Sequence, residues 1–126
     1  MARIEGVCRE VFDATEWVAI ITQGDDGPHL AGHWRSFMFL DVEDGVIVFP
    51  VGRFQQTEEN LRKSGRVQLL AASKKVQGSR SPGQGCEVSG SGEVVTAGKY
   101  VDAVRTKFPG ARGALVVRVE NTKTQL

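Results

Sequence analysis

The amino-acid sequence predicts a mainly β fold, an antiparallel barrel of six strands with a few short helices. Three observations carry this. Runs rich in β-branched residues are separated by short glycine turns, which cannot cross over to make parallel pairs. The alternation of strand and long helix that builds a parallel sheet is missing. The segment Cys86 to Val94 alternates apolar or small residues with Glu87, Ser89, Ser91 and Glu93 and carries glycines at 90 and 92, the bends a closing sheet needs. At 126 residues and 13.7 kDa the chain is expected to be one domain, long enough to bury a core.

Each element follows in order. Ile4, Val7, Cys8, Val11 and Phe12 fall on one stripe of a first helix. Trp17 to Thr22 reads as a buried strand. Gly24-Asp25-Asp26-Gly27-Pro28 is a hairpin turn into a long strand, about His29 to Leu40. Asp44-Gly45 is a second turn and Val46 to Phe49 a third strand, so the three are expected to form a meander. Thr57 is placed as the cap of a short helix with Glu58 and Glu59 first, Arg62 and Lys63 last and Gly65 as its stop, an order that matches the helix dipole. Arg66 to Ser73 is a strand, and Gly78 to Gly85 a loop. Tyr100, Val101, Val104 and Phe108 mark another short helix, ended by Pro109-Gly110, and Ala114 to Val119 is the last strand.

Composition excludes several classes. Apolar residues at 40% and charged residues at 25% argue against a disordered chain. The longest strictly apolar run, Trp17 to Ile21, is far too short for a membrane span, and Met1-Ala2-Arg3 does not open a secretory signal. A cytoplasmic protein is the expectation. Cys8 and Cys86 form no C-x-x-C, and reduced thiols are the simplest reading. The net charge of +1 hides an acidic first half and a basic second half. Arg62, Lys63, Arg66, Lys74, Lys75 and Arg80 lie in a stretch without an acid, but also without an aromatic ring for bases to stack on, so nucleic acid is not expected as a partner.

The chemistry narrows similarly. His29 and His33 share a strand face without a third ligand, so no metal is expected. There is no nucleophile elbow, and the Gly83/Gly85 and Gly90/Gly92 pairs lack the third glycine and helix of a dinucleotide fingerprint. A mononucleotide phosphate fits better. A strand end, Gly52 and a helix start near Thr57 make an anion site, with Arg35 and Arg53 as candidate cations and Gln56 as a neutral donor.

These residues carry a resemblance. Val18 to Leu30, His33-Trp34-Arg35-Ser36-Phe37, Pro50-Val51-Gly52 with Thr57-Glu58 and Asn60, the 78–85 loop, and Ala111-Arg112 before Ala114-Leu115-Val116 follow the order and spacing of a known family. From about Val18 to Leu126 the chain resembles the small bacterial FMN-binding proteins of the flavin split-barrel superfamily, relatives of pyridoxamine 5′-phosphate oxidase. The resemblance implies a six-stranded Greek-key split barrel that forms a homodimer and holds FMN non-covalently at the subunit interface. It implies that Gly32, His33, Trp34, Arg35 and Ser36 line the ribityl chain and phosphate. Pro50, Val51 and Gly52 would present backbone to the ring, with Gln56 and Thr57 at the phosphate end. Gly83 and Gly85 would close over the ring, and Leu126 would reach flavin across the dimer. The family's lysine before the threonine is here Gln56, and Arg35 is expected to restore the charge. Gly32 and His33 replace a polar pair, and an aromatic after the last helix stands here as Gly110. With no evident protein acid or base, the expected role is electron transfer with a redox partner protein. A flavin-dependent oxidase or flavin reductase is the alternative.

Overall fold

The computed structural model describes residues 3–41 and 43–126. Three α-helices and seven strands follow in the order α1 (Gly6–Ala14), β1 (Trp17–Gly24), β2 (Gly27–Trp34), a 3-10 turn (Arg35–Phe37), β3 (Phe39–Asp41), β4 (Val46–Val51), α2 (Gln55–Ser64), β5 (Arg66–Gln77), β6 (Pro82–Val95), α3 (Lys99–Arg105) and β7 (Gly113–Thr124). The strands form one sheet in the order β2-β1-β5-β6-β7-β4-β3, antiparallel at every pairing. The edges β2 and β3 are joined by one short turn. Laid flat, they would lie about 29 Å apart at the usual strand spacing. The five-residue step from Trp34 to Phe39 spans at most about 18 Å. The sheet must therefore curl until its edges approach, which gives the barrel.

Several expectations are corrected. There are seven strands, not six, because the expected strand from His29 to Leu40 is broken at Arg35–Phe37. The break is imposed from outside the segment. The Arg35 N–H donates to Glu16 O at 2.9 Å, and its guanidinium reaches back to α1. The expected meander consequently does not form: β1–β2 and β3–β4 are separate hairpins at opposite ends of the strand order. Strand β6 begins at Pro82, so Gly83 and Gly85 lie in a strand rather than in the loop before it. Thr57 is not the cap of α2 but sits in its first turn, behind Phe54. Cys8 and Cys86 are not free thiols; they are joined as a disulfide that ties α1 to β6. The thiol argument for a reducing compartment therefore falls.

Two apolar clusters organise the interior. The larger fills the barrel and receives Cys8, Val11 and Phe12 from α1 and Ile4 just before it, four of the five residues of the expected stripe, while Val7 is exposed. The smaller lies outside the sheet, where Val101 and Val104 of α3 pack on Val46, Val48, Ala114 and Val116. Strand β4 is buried on both faces, which explains its continuous apolar run. Its Pro50 pairs with Ala114 of β7 and lies past the last β3 pairing, Phe39 with Val48, where no ladder donor is needed. Gly65 ends α2 in the left-handed conformation, at φ 69°. The β6–β7 register shifts between Ser89 and Gly90, the expected bend, and a Cβ at Gly90 would lie 2.0 Å from Arg118 O. Of the basic stretch, Arg62 pairs with Glu58 and Glu59, Lys63 with Asp25 and Glu59, and Arg66 with Glu120. No helix among the described residues is long and apolar enough to cross a membrane.

Candidate functional site

Strand alternation puts Trp17, Ala19 and Ile21 of β1 on the outer face of the sheet, opposite Trp34, Gly32 and Leu30 of β2. Trp17 and Trp34 meet edge to face with ring centroids 4.8 Å apart. Trp17 lies across Gly32, where a Cβ would come within 2.3 Å of the indole. A glycine is thus required there for the ring to lie flat on the strand. These residues form one wall of a cleft of about 410 Å³, completed by His33, Pro50, Gly52, Arg53, Phe54 and Phe108.

His33 stands at the centre of the cleft's aromatic cluster. Its ring centroid lies 5.7 Å from Phe37, 6.0 Å from Phe54 and 6.2 Å from Phe108. The Trp34 N–H donates to His33 Nδ1 at 2.9 Å, so the neutral ring carries its proton on Nε2. Burial lowers the pKa of His33 below its ordinary 6.5.

The far wall is a loop under tension. Phe54 adopts the left-handed conformation, φ 53° and ψ 33°, which a bulky side chain rarely takes. It is held there by Arg112. The Arg112 N–H donates to Val51 O at 2.8 Å, and its guanidinium donates to Gly52 O, to Arg53 O and to Glu58 Oε1. The loop turns straight into α2, whose first free carbonyl pairing is Glu58 N–H to Phe54 O at 2.8 Å. The N–H groups of Gln55, Gln56 and Thr57 have no intrahelical acceptor, and no side chain caps the helix. Thr57 is fully buried, and among the described residues its Oγ1 has no hydrogen-bond partner.

The cleft therefore brings together Gly32, His33, Trp34, Pro50 and Gly52 of the residues expected from sequence; Gln56 lines a separate groove with Asp25, Asp26, His29 and Asn60, and Thr57 is buried in the first turn of α2. Val51 is buried and offers only backbone, its carbonyl already taken by Arg112. Gln56 donates through Nε2 to Asn60 Oδ1 at 2.8 Å, and Asn60 in turn donates to Thr22 Oγ1 at 3.0 Å. Ser36 is exposed, and its carbonyl accepts from Lys107 Nζ at 3.1 Å. The Arg35 guanidinium is consumed by the fold: Nε donates to Phe12 O at 2.6 Å, one terminal nitrogen to Met38 O at 3.0 Å and the other to Asp13 at 3.3 Å.

Gly83, Gly85 and Leu126 lie elsewhere. They line a separate groove of about 450 Å³ with Leu70, Ala72 and Gln84, sharing no residue with the aromatic cleft. Gln84, buried beneath, holds the tail: its Oε1 accepts from the N–H groups of Gly85 at 2.9 Å and Leu126 at 2.7 Å. Sequence reasoning missed Trp17, Phe54, Phe108, Gln84 and Arg112 as site residues. The missing aromatic assigned to Gly110 is supplied two residues earlier by Phe108, whose ring faces Phe37 at 5.7 Å. No group of three or more metal-ligating side chains occurs among the described residues.

The chain is 40% identical over 124 residues to the FMN-binding protein of Nitratidesulfovibrio vulgaris (strain DSM 19637 / Miyazaki F), covering 98% of this chain and 99% of that protein. It belongs to the FMN-binding protein family of flavin split barrels. Among solved structures, HupZ of Group A Streptococcus matches at a TM-score of 0.72 and 18% identity, covering 90% of each chain. An FMN-binding protein from Syntrophomonas wolfei subsp. wolfei matches at 0.68 and 12%, covering 94% of this chain and 83% of that one. These two likenesses establish the split-barrel fold. No protein-family model matches the chain.

The residues present fit a flavin phosphate. Among the described residues, an uncapped helix start, a buried hydroxyl without a partner and the unpaired Arg53 of the loop that leads into that helix all favour an anion.

Proposed function

We propose that the protein is an electron carrier that holds FMN non-covalently at a homodimer interface. The observation that carries the reading is the aromatic cleft itself. One end is walled by indole and phenyl rings, suited to a planar conjugated ring; the other opens on the anion-favouring start of α2. Gly32, His33 and Trp34 line one side with Ser36 beyond them, Pro50, Val51 and Gly52 would give backbone, and Gln56 and Thr57 would meet the phosphate from α2. Arg35 serves indirectly, by fastening to α1 the turn that carries Phe37. Bound FMN supplies one- and two-electron redox chemistry; the protein orients it, excludes water and sets the charge around it.

The dimer rests on the outer sheet face. Register runs from Gly32 through Ala19 to Leu70, so Trp17, Trp34, Leu30 and Leu70 share one apolar surface across β2, β1 and β5. Leu126, at the edge of the neighbouring groove, is 67% exposed. Apolar side chains this exposed favour a partner, and a second copy would bring its Gly83, Gly85 and Leu126 to the first copy's flavin. Among the described residues, the cleft holds no carboxylate, and its titratable side chains are His33 and the permanently charged Arg53, which favours electron transfer with a partner protein over an oxidase or reductase.

The test is a visible spectrum of the purified protein, with release of the chromophore on denaturation and sedimentation of the native species. A flavin spectrum, released FMN in one-to-one ratio with chain, and a dimer are expected. A colourless monomer that takes up no added FMN refutes the reading.

A further inference from the structure

We infer that Arg53 is the cation that reads the flavin phosphate, and so sets the preference of this protein for FMN over riboflavin. The inference rests on the flavin reading above and assigns a residue within it. Riboflavin shares the ring and ribityl chain and lacks only the phosphate, so discrimination between them must come from charge and donors at that end of the site.

The cations near the cleft can be taken in turn. Arg35 has its three donor directions filled by Phe12 O, Met38 O and Asp13. Arg112 is spent on Gly52 O, Arg53 O and Glu58. Lys107 donates to Ser36 O, and Arg105 Nε donates to Ala111 O at 2.9 Å. Gln56 is neutral and bonded to Asn60. Arg53 differs from all of these. It lines the aromatic cleft, is exposed, and among the described residues its guanidinium has no hydrogen bond and no ion pair.

Its position suits an anion. Arg53 directly precedes the left-handed Phe54 that opens α2, and the N–H groups of Gln55, Gln56 and Thr57 that follow it lack intrahelical acceptors. The orphaned Thr57 Oγ1 lies in the same turn. The one acid in that turn, Glu58, is neutralised by Arg112 at 2.8 Å and Arg62 at 3.0 Å, so it does not repel an incoming phosphate. A phosphomonoester near its second negative charge meets there a planar bidentate donor and a helix start at once. The positive charge lost at Gln56 is thus recovered three residues earlier in the same loop.

The full-length protein, freed of flavin, is titrated with FMN and with riboflavin at low and high salt, following quenching of flavin fluorescence. Arg53→Ala and Arg53→Gln are measured beside the wild type, each checked for an unchanged melting temperature; Gln keeps most of the side-chain packing. Expected are a loss of FMN affinity of roughly 10- to 100-fold in both variants, unchanged riboflavin affinity, and loss of the salt dependence of FMN binding. Variants that keep the wild-type ratio of FMN to riboflavin affinity overturn the assignment while leaving the flavin reading intact. A wild type that binds neither flavin overturns both.

Discussion

Breaking the Cys8–Cys86 disulfide should cost this protein a large share of its stability. The bond closes a loop between residues 78 apart in sequence, joining α1 to β6. For that separation the loss of chain entropy in the unfolded state corresponds to about 4.5 kcal/mol at 25 °C, the upper end of what native disulfides contribute. The whole stability of a domain this size is roughly 5–15 kcal/mol. Both cysteines are buried, Cys86 completely, so Cys8→Ala with Cys86→Ala removes the crosslink and leaves only small voids. At this length the entropy of unfolding converts 4.5 kcal/mol into about 17 °C of melting temperature, and a contribution of half that into about 8 °C. The assay is calorimetric melting of the wild type with and without a reductant strong enough to reach a buried bond, beside the double variant. Intact mass of the native chain, lighter by two hydrogen atoms than the reduced chain, identifies the bond directly. A native mass equal to the reduced mass, or a double variant that melts with the wild type, refutes the reasoning.

Three further outcomes are expected. Gly32→Ala should push Trp17 off its strand, costing about 1–3 kcal/mol and weakening flavin binding; a melting curve and a flavin titration that both match wild type would contradict the packing at Gly32. Thr57→Val should act in opposite directions on the two states. Replacing an orphaned buried hydroxyl with a methyl group should stabilise the flavin-free protein by about 1 kcal/mol, while FMN affinity falls; a variant less stable without flavin would show that the hydroxyl is satisfied. Stability should fall below pH 6.5 in part through His33. Its pKa is lowered in the folded state, so between that value and 6.5 the unfolded chain binds more protons. The contribution is complete above 6.5 and is lost as pH drops through the folded value. His33→Gln should flatten the melting temperature against pH in this window, and parallel curves for variant and wild type would place the titration elsewhere.

The parts of the fold legible in sequence are those decided by short-range chemistry. Asp25-Asp26 between glycines makes the β1–β2 turn whatever the rest of the chain does. Gly65 ends α2 because only a residue free of Cβ strain enters the left-handed region easily, and Gly90 bends β6 because Arg118 O leaves no room for a side chain. The illegible parts are decided by partners distant in sequence. Nothing between His29 and Leu40 signals a break; the turn at Arg35 exists because α1 offers Phe12 O to its guanidinium. Cys8 meets Cys86 only once the barrel has carried β6 past the first helix. Phe54 contradicts its own backbone preference and is held by Arg112, which follows it by more than fifty residues. The candidate site divides the same way. Gly52 and Arg53 follow from the spacing of the expected anion site and Gly32, Trp34 and Pro50 from the resemblance, whereas Phe54 and Phe108 enter the cleft through packing that spacing does not report.

The unsatisfied features of the molecule gather at one place. Among the described residues, a strained Phe54, an orphaned Thr57 hydroxyl, an unpaired Arg53 and two half-exposed tryptophans all belong to the cleft or to the helix that follows its wall. The backbone strain and the lost hydrogen bond each cost of order 1–3 kcal/mol. The features that offset them lie outside: the disulfide under the barrel, the Arg112 clamp behind the loop and the doubly buried β4. Such a division implies that ligand binding and folding are coupled through α2. A flavin that meets the hydroxyl and the arginine acts only on the folded protein, and at 100 times its dissociation constant it would add about 2.7 kcal/mol of stability. The loop is held from its far side by Arg112, through Gly52 O, Arg53 O and Glu58, so its shape does not depend on any group inside the cleft.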